Sequence, residues 1–428
     1  MTKQKPRKRV TSTGPLRPGS VLAFTAFIAF ALTNSARAQG VVNGSTGADG
    51  ALDVATDTVR ALPPDGVLNF TTVHVRPGAT LTFTPNERNT PVYLLATGNV
   101  LIEGTISVNG GNATTTAGGV GGPGGYAGGT PGTTGVPPGA GIGPGAGRGG
   151  AERTSDPTGA GGGGYRTRQY YFVNYPAYHK NDANRGATYG SPLLVPLVGG
   201  SGGGGTSGGT AWGGGGGGGA VLIASDTRIE VSGRVEALGG TGVPTTSCSS
   251  ASLNHGSGGA IRLVAPTVAG SGTIDTRGGA THQTCGDSPR AGHGRARVDS
   301  IYRAEANLTF SPSDSRLFGT YLVARHLNLP RVDIAEAAGT PITGDTPVLV
   351  TLPFGTPATQ TVRVVLSGFP ELANVTVRLT PMNGDPVTYG PFLVPVGGAS
   401  VEHVITVDIP PNNPTHIQAW AQPEPYGA

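Results

Sequence analysis

Lysine is almost missing from this chain: after Lys8 only Lys180 remains. A nucleic-acid-binding surface gathers basic side chains on one face, and scattered arginines do not build one, so nucleic acid is excluded as a partner. Cysteine is limited to Cys248 and Cys285, too few for a disulfide-dense scaffold or a zinc module held by four thiolates. No apolar run approaches the ~20 residues that a membrane-spanning helix needs, so no transmembrane anchoring of the exported chain is expected. Glycine and proline are plentiful instead. With 75 Gly and 36 Pro in 428 residues, packed helices are disfavoured. The glycines cluster, as in residues 213–219, rather than recurring at every third position, which excludes a collagen triple helix.

Residues 1–20 carry Lys3, Lys5, Arg7, Lys8, Arg9 and Arg17 with no acidic residue, residues 21–32 form an apolar run, and Ala36-Arg37-Ala38 presents small side chains at the recognition positions. This is the pattern of a secretory signal peptide cleaved after Ala38. Its removal takes seven of the 29 Lys+Arg and none of the 25 Asp+Glu, leaving 22 basic against 25 acidic residues, a formal net charge of −3. The expected destination is the cell surface or medium, or the periplasm.

Three segments align on a terminal Gly-Gly: 92–111, 221–240 and 261–279. Each opens with a β-rich apolar stretch, places a glycine six residues before its Gly-Gly (Gly104, Gly233, Gly272), and continues into an alternating strand marked by Ile106, Val235 or Ile274. Two short strands and a corner are expected per unit. Residues 70–83 and 294–301 look like partial copies. A unit of this size cannot bury its apolar face alone and is satisfied by stacking. The expected fold is therefore all-β: a short parallel β-helix (β-solenoid) of four or five coils over residues 39–310, with an irregular sandwich as the alternative.

Long Gly-rich insertions break the repeat over residues 112–219. Two tracts, 110–164 and 199–219, hold 39 of the 75 glycines, and such composition predicts flexibility unless glycine backbone packs against itself. Residues 112–198 are then expected to be dispensable for folding. After a linker at 311–328, residues 329–428 show period-2 strands around Val362, Val375, Val401 and Ile417, the spacing of an Ig-like or fibronectin-III-like β-sandwich. The coil at residues 96–111, the tyrosine-led return at 189–205 and the C-terminal module together resemble a group of secreted bacterial Gly-rich proteins. The resemblance implies the same architecture and supplies no catalytic residues.

Parallel β-helices include polysaccharide lyases and hydrolases, so facing carboxylates are the chemistry to look for. Glu103, Asp226 and Asp275 fall at different offsets in the repeat, and Glu230 and Glu236 read as solvated members of alternating strands. Residues 213–219 lack the Lys-Ser/Thr of a phosphate-binding loop and lead into a strand, and no nucleophile elbow occurs. Cys248, His255, His282, Cys285 and His293 could in principle surround a metal, but two cysteines in an exported chain are more simply one disulfide, Cys248–Cys285. No cofactor and no metal is expected. Tyr165, Tyr170, Tyr171, Tyr175 and Tyr178 with Arg166 and Arg168 form the most distinctive aromatic and basic cluster. They could stack on and hold an extracellular polysaccharide or another cell-envelope component, or fold back as a lid over the Gly-rich tracts. The expected function is a secreted or cell-surface structural or adhesive protein without catalytic activity, the alternative a polysaccharide-active β-helix enzyme.

Overall fold

Short runs of Val, Ile and Leu alternating with polar residues bury one face only by pairing with a neighbour. The computed structural model describes residues 43–151, 160–168, 184–208, 211–242, 254–280, 291–325, 330–344, 346–369 and 371–423, all within one compact unit, Gly40–Ala428. Ala38, Tyr170, Tyr171, Tyr175, Tyr178, Cys248 and Cys285 lie outside the described residues. Among the described residues there is no α-helix; the architecture is all-β, with both parallel and antiparallel sheets.

Three large sheets are parallel, as is the two-stranded pair of Gly150–Ala151 with Thr206–Ser207. The first holds Val67–Phe70, Val92–Ala96, Ala220–Ser225, Ala260–Val264, Arg295–Asp299 and Arg316–Gly319; the second Ala51–Val54, Thr72–Val75, Val100–Ile102, Arg228–Val231 and Thr267–Ala269; the third Thr58–Ala61, Thr80–Thr84, Thr105–Ser107, Arg234–Glu236, Thr273–Asp275 and Thr309–Ser311. Register follows the repeat: Val221 lies opposite Val92 and Ile261, and Val235 opposite Ile106 and Ile274. Each unit contributes three strands rather than two, because a three-residue strand such as Val100–Ile102 is enough to add one rung to a sheet. The sheets reach six strands, and Arg316–Gly319 pairs with Arg295–Asp299, so the rungs continue into the stretch 311–328 expected to be a linker.

Between the sheets, like side chains stack: Leu94, Ile223 and Leu263 from the first, Ile102 and Val231 from the second, Ile106, Val235 and Ile274 from the third, all buried in one apolar cluster. Gly104, Gly233 and Gly272 form the corner before the third sheet. A Cβ at Gly233 would run into the carbonyl of Gly104, and one at Gly272 into that of Gly233, so rungs meet there backbone to backbone.

The Gly-rich tracts are not loose insertions. Residues 213–219 form no strand, yet their amides donate in turn to three different neighbours: Gly214 and Gly217 to the carbonyls of Gly129 and Tyr126, Gly215 and Gly218 to those of Asn254 and Ser257, Gly216 and Gly219 to those of Gly111 and Val108. Their carbonyls accept with the same period, those of Gly214 and Gly217 from Gly119 and Gly122, those of Gly215 and Gly218 from Gly203 and Gly200. A period of three means an extended chain with three-fold character, as in polyproline II, whose polar groups here meet backbone rather than water. Side chains have no room. A Cβ at Gly214, Gly215, Gly216 or Gly217 would fall on the carbonyl oxygen of Gly203, Gly240, Val120 or Gly200 respectively. This corrects the expectation of flexibility: the tract is a backbone-packed bundle, made possible by the absence of Cβ atoms.

The C-terminal strands are antiparallel. Thr340–Pro341, Arg331–Ala337, Thr359–Ser367 and Val401–Asp408 make one sheet, and Val387–Pro395, Leu372–Pro381 and Thr415–Pro423 another. Val362, Val364 and Leu366 pack with Val375, Val377 and Leu379 in a second apolar core. On the other side of Leu372–Pro381, Thr376, Arg378 and Thr380 are also buried, because the Gly-rich bundle covers them. Arg378 Nη1 donates to the carbonyl of Gly143, the Gly143 amide to Gln418 Oε1, and Thr130 Oγ1 to the carbonyl of Met382. Burial, with Arg148 nearby, brings the Arg378 guanidinium down to about 10.

Candidate functional site

On the outer face of the first sheet, pairing lines up Val67, Tyr93, Leu222, Arg262, Arg297 and Leu317 across six strands. These positions point away from the core because Leu94, Ile223, Leu263 and Val298 point into it. Two places along, Asp299 is fully buried and serves both arginines. Arg262 Nε donates to its Oδ2 at 3.1 Å, and Arg297 donates through Nε to Oδ2 at 2.8 Å and through Nη2 to Oδ1 at 2.7 Å. The Tyr321 amide donates to Oδ1 at 3.0 Å. Arg262 Nη2 caps the Tyr321 carbonyl at 2.8 Å, and its guanidinium lies 5.3 Å from the Tyr321 ring centroid. Gly319 opposite Asp299 leaves space for this cluster; a Cβ there would strike Arg297 Nη2. Two guanidinium groups thus share one carboxylate. Burial pushes Arg262 down from its ordinary value, and the attraction of Asp299 opposes that shift.

Over this floor lies a cleft of about 270 Å³. Leu194 to Leu197 form one wall and Ala324 and Arg325 another, with Leu222 and Arg262 beneath and Asp65, Thr90, Pro91 and Tyr93 at the rim. The wall is seated by Leu194 and Leu197, both buried against Leu222 and its neighbours, and by Arg297 Nη1, which donates to the Pro192 carbonyl at 3.4 Å. Leu194 holds φ +53°, a left-handed conformation that costs a branched residue on the order of 1–3 kcal/mol. Arg325 is partly exposed, 3.8 Å from Asp65 Oδ2 and 6.0 Å from the Tyr93 ring centroid. Burial pushes the Tyr93 phenol up, and Arg325 opposes it.

Of the five tyrosines in the expected cluster, Tyr165 is the one that lies among the described residues. Tyr165 is 1% exposed, its ring 4.7 Å from that of Tyr189 and its hydroxyl donating to the Val198 carbonyl. It cannot stack on a ligand; it packs in an apolar cluster with Leu194 and Leu197. Arg166 is committed to Asp314 by two hydrogen bonds and to the Gly294 carbonyl. Arg168 is exposed.

Among the carboxylates, Glu230 is half-exposed beside Arg228, as expected of a solvated strand position. Glu236 is different. It lies opposite Asp275 on the neighbouring rung, so the two do share a register, and both are engaged: Asp275 by Arg234 and Arg277, Glu236 by Arg234 and Asn109. Asp275 is fully buried under those guanidinium groups, an arrangement of rung-to-rung ties rather than an acid and base facing a substrate. Glu103 pairs with His74 at 2.7 Å, and Asp226 accepts the Asn43 amide. His255 and His293 accept the amides of Gly242 and Gly278 through Nδ1, and no cluster of three or more His, Cys, Asp or Glu arranged to hold a metal occurs among the described residues.

The arginine floor escaped the sequence reading because an arginine within an apolar strand such as Ala260–Val264 looks like a solvent-facing alternate. Its burial comes from the 194–197 and 321–325 segments, distant in sequence. No protein-family profile, curated protein or solved structure matches the chain. No helix among the described residues is long and apolar enough to cross a membrane.

Proposed function

We propose that this chain is an exported, non-catalytic surface or matrix protein that binds extracellular glycan and acts as a rigid spacer. The three parallel sheets with their common repeat support reading residues 39–319 as a short parallel β-helix, and the two antiparallel sheets around one core support an Ig-like sandwich for the remainder. The observation that carries the reading is the bundle around residues 213–219: glycine backbone joins rungs and sandwich, through contacts such as Arg378 to Gly143, into one continuous body. A site built for cleavage would instead keep ionisable groups poised in an open volume. Among the described residues that line the cleft, Asp65 is the one carboxylate, with no second facing it across the opening.

A panel of neutral and acidic glycans, assayed together for binding and for release of reducing or unsaturated ends, tests this. Binding without release is expected. Turnover that co-purifies with the chain through successive columns would overturn it in favour of a polysaccharide-active enzyme. Export is tested separately, by N-terminal sequencing of the secreted species, which should begin at Gln39.

A further inference from the structure

Resting on that glycan-binding reading, we propose that the cleft over Arg262 is a subsite for one carboxylate-bearing sugar residue of an acidic polysaccharide, with Arg325 forming the ion pair. Among the described residues, Arg262 and Arg325 line the cleft with the carboxylate of Asp65, and Arg297 is paired with Asp299 in the floor beneath, a balance of three arginines to two carboxylates that leaves one positive charge for an anion to neutralise. Asp299 is already divided between two guanidinium groups and the Tyr321 amide. The Arg325–Asp65 separation of 3.8 Å is beyond hydrogen-bonding length, so an incoming carboxylate could take the fork bidentately, the stronger geometry for an Arg–carboxylate pair.

The volume argues for a single ring. About 270 Å³ is just below the range that holds drug-sized ligands, and the 194–197 wall closes one side. The lining is mixed in the manner a sugar needs: Pro91, Tyr93, Val195 and Pro196 present apolar surface for ring C–H groups, while Thr90 and Asp65 at the rim can exchange hydrogen bonds with hydroxyls. Leu194 in its left-handed conformation fixes the wall, and strain of this kind gathers at ligand clamps.

Short oligogalacturonates and uncharged oligogalactosides of equal length, titrated calorimetrically into the purified chain, test the assignment. The acidic series should bind and the neutral series bind at least about tenfold more weakly, with affinity for the acid falling as salt is raised. Arg325→Ala should reduce acidic binding by about tenfold or more, Arg325→Lys less, and Asp65→Asn should tighten it by removing the competing carboxylate; thermal melts of each variant show that the fold is kept. Equal binding of both series, unchanged affinity in Arg325→Ala, or no binding of oligogalacturonates would each overturn the subsite. The broader reading fails if nothing in the glycan panel binds or if turnover co-purifies with the chain, so the two failures are told apart.

Discussion

The rungs and the glycine bundle solve the same problem by opposite means. In the rungs, Leu94, Ile223 and Leu263 stack side chain on side chain, and stability scales with apolar area removed from water. In the bundle there is almost no side chain to bury. Residues 214–219 exchange hydrogen bonds with segments in successive directions, and close backbone approach replaces apolar burial. One rung uses both: Ala220–Ser225 begins where the seven glycines end. The comparison teaches that a Gly-rich composition does not mean slack chain when the glycines come in enough neighbouring segments to satisfy one another's amides.

The sharpest way to break the comparison is to remove half of the bundle. Replacing residues 112–198 by a short linker takes away the partners of both the amides and the carbonyls of Gly214 and Gly217. Four buried backbone groups left unpaired cost roughly 1–3 kcal/mol each, comparable with the whole stability of a typical domain. Loss of the cooperative thermal transition is expected. A deletion protein that melts near the parent temperature would restore the view of this region as a dispensable loop.

A smaller effect, about 3 to 4 kcal/mol in the chain-entropy model for a separation of about 37 residues, is expected on reducing a Cys248–Cys285 disulfide. Both cysteines lie outside the described residues, but the segments that lead to them leave the same corner of the bundle. Thr241 Oγ1 donates to the Ala280 carbonyl at 3.1 Å, and a Cβ at Gly279 would meet the Gly240 carbonyl. Peptide mapping without reductant should give one linked pair. Two alkylatable thiols in the exported protein would refute it.

A matched pair of one-carbon changes compares the regions directly. Gly216→Ala adds a methyl where the Val120 carbonyl already stands, and overpacking against backbone that cannot rotate away should cost about 3 kcal/mol or more. Ile223→Val removes a methylene from the rung core and should cost about 0.5–1.5 kcal/mol. Urea denaturation of both variants reads the difference; a reversed order would mean that the bundle yields more easily than the side-chain core.

These regions also differ in how legible they were. The register of Val92, Val221 and Ile261 could be read from the repeat, because apolar alternation and the corner glycines Gly104, Gly233 and Gly272 fix it. The third strand per unit was missed, since three residues such as Val100–Ile102 carry too little pattern. The bundle was unreadable for a deeper reason: backbone pairing between glycines leaves no hydrophobic signature, and only the length of the run 213–219 hints that every direction around it is occupied. In the cleft, nothing in the sequence links Arg262 with Arg297, Asp299 and the 194–197 wall, which the fold brings together from three separate stretches.

The smallest expected effect concerns the aromatic seam between the two regions, and it appears only at high pH. Burial pushes the Tyr165 and Tyr189 phenols above their ordinary value, Tyr165 donating to the Val198 carbonyl and Tyr189 to that of Gly199 while accepting from Ser201. A phenol whose folded-state value is raised stays protonated in the folded chain after it ionises in the unfolded one. Stability is therefore full below about pH 10 and falls as pH rises toward the raised values. Tyr165→Phe should cost about 1 kcal/mol at neutral pH through the lost hydrogen bond. Above about pH 10 it should also make stability fall less steeply, by up to about 1.4 kcal/mol per pH unit, since one titrating group is gone. Denaturation midpoints between about pH 8 and 11 measure both. Parallel limbs for the parent and Tyr165→Phe would show that this ring meets water and that the bundle is not sealed on the side where the tyrosines lie.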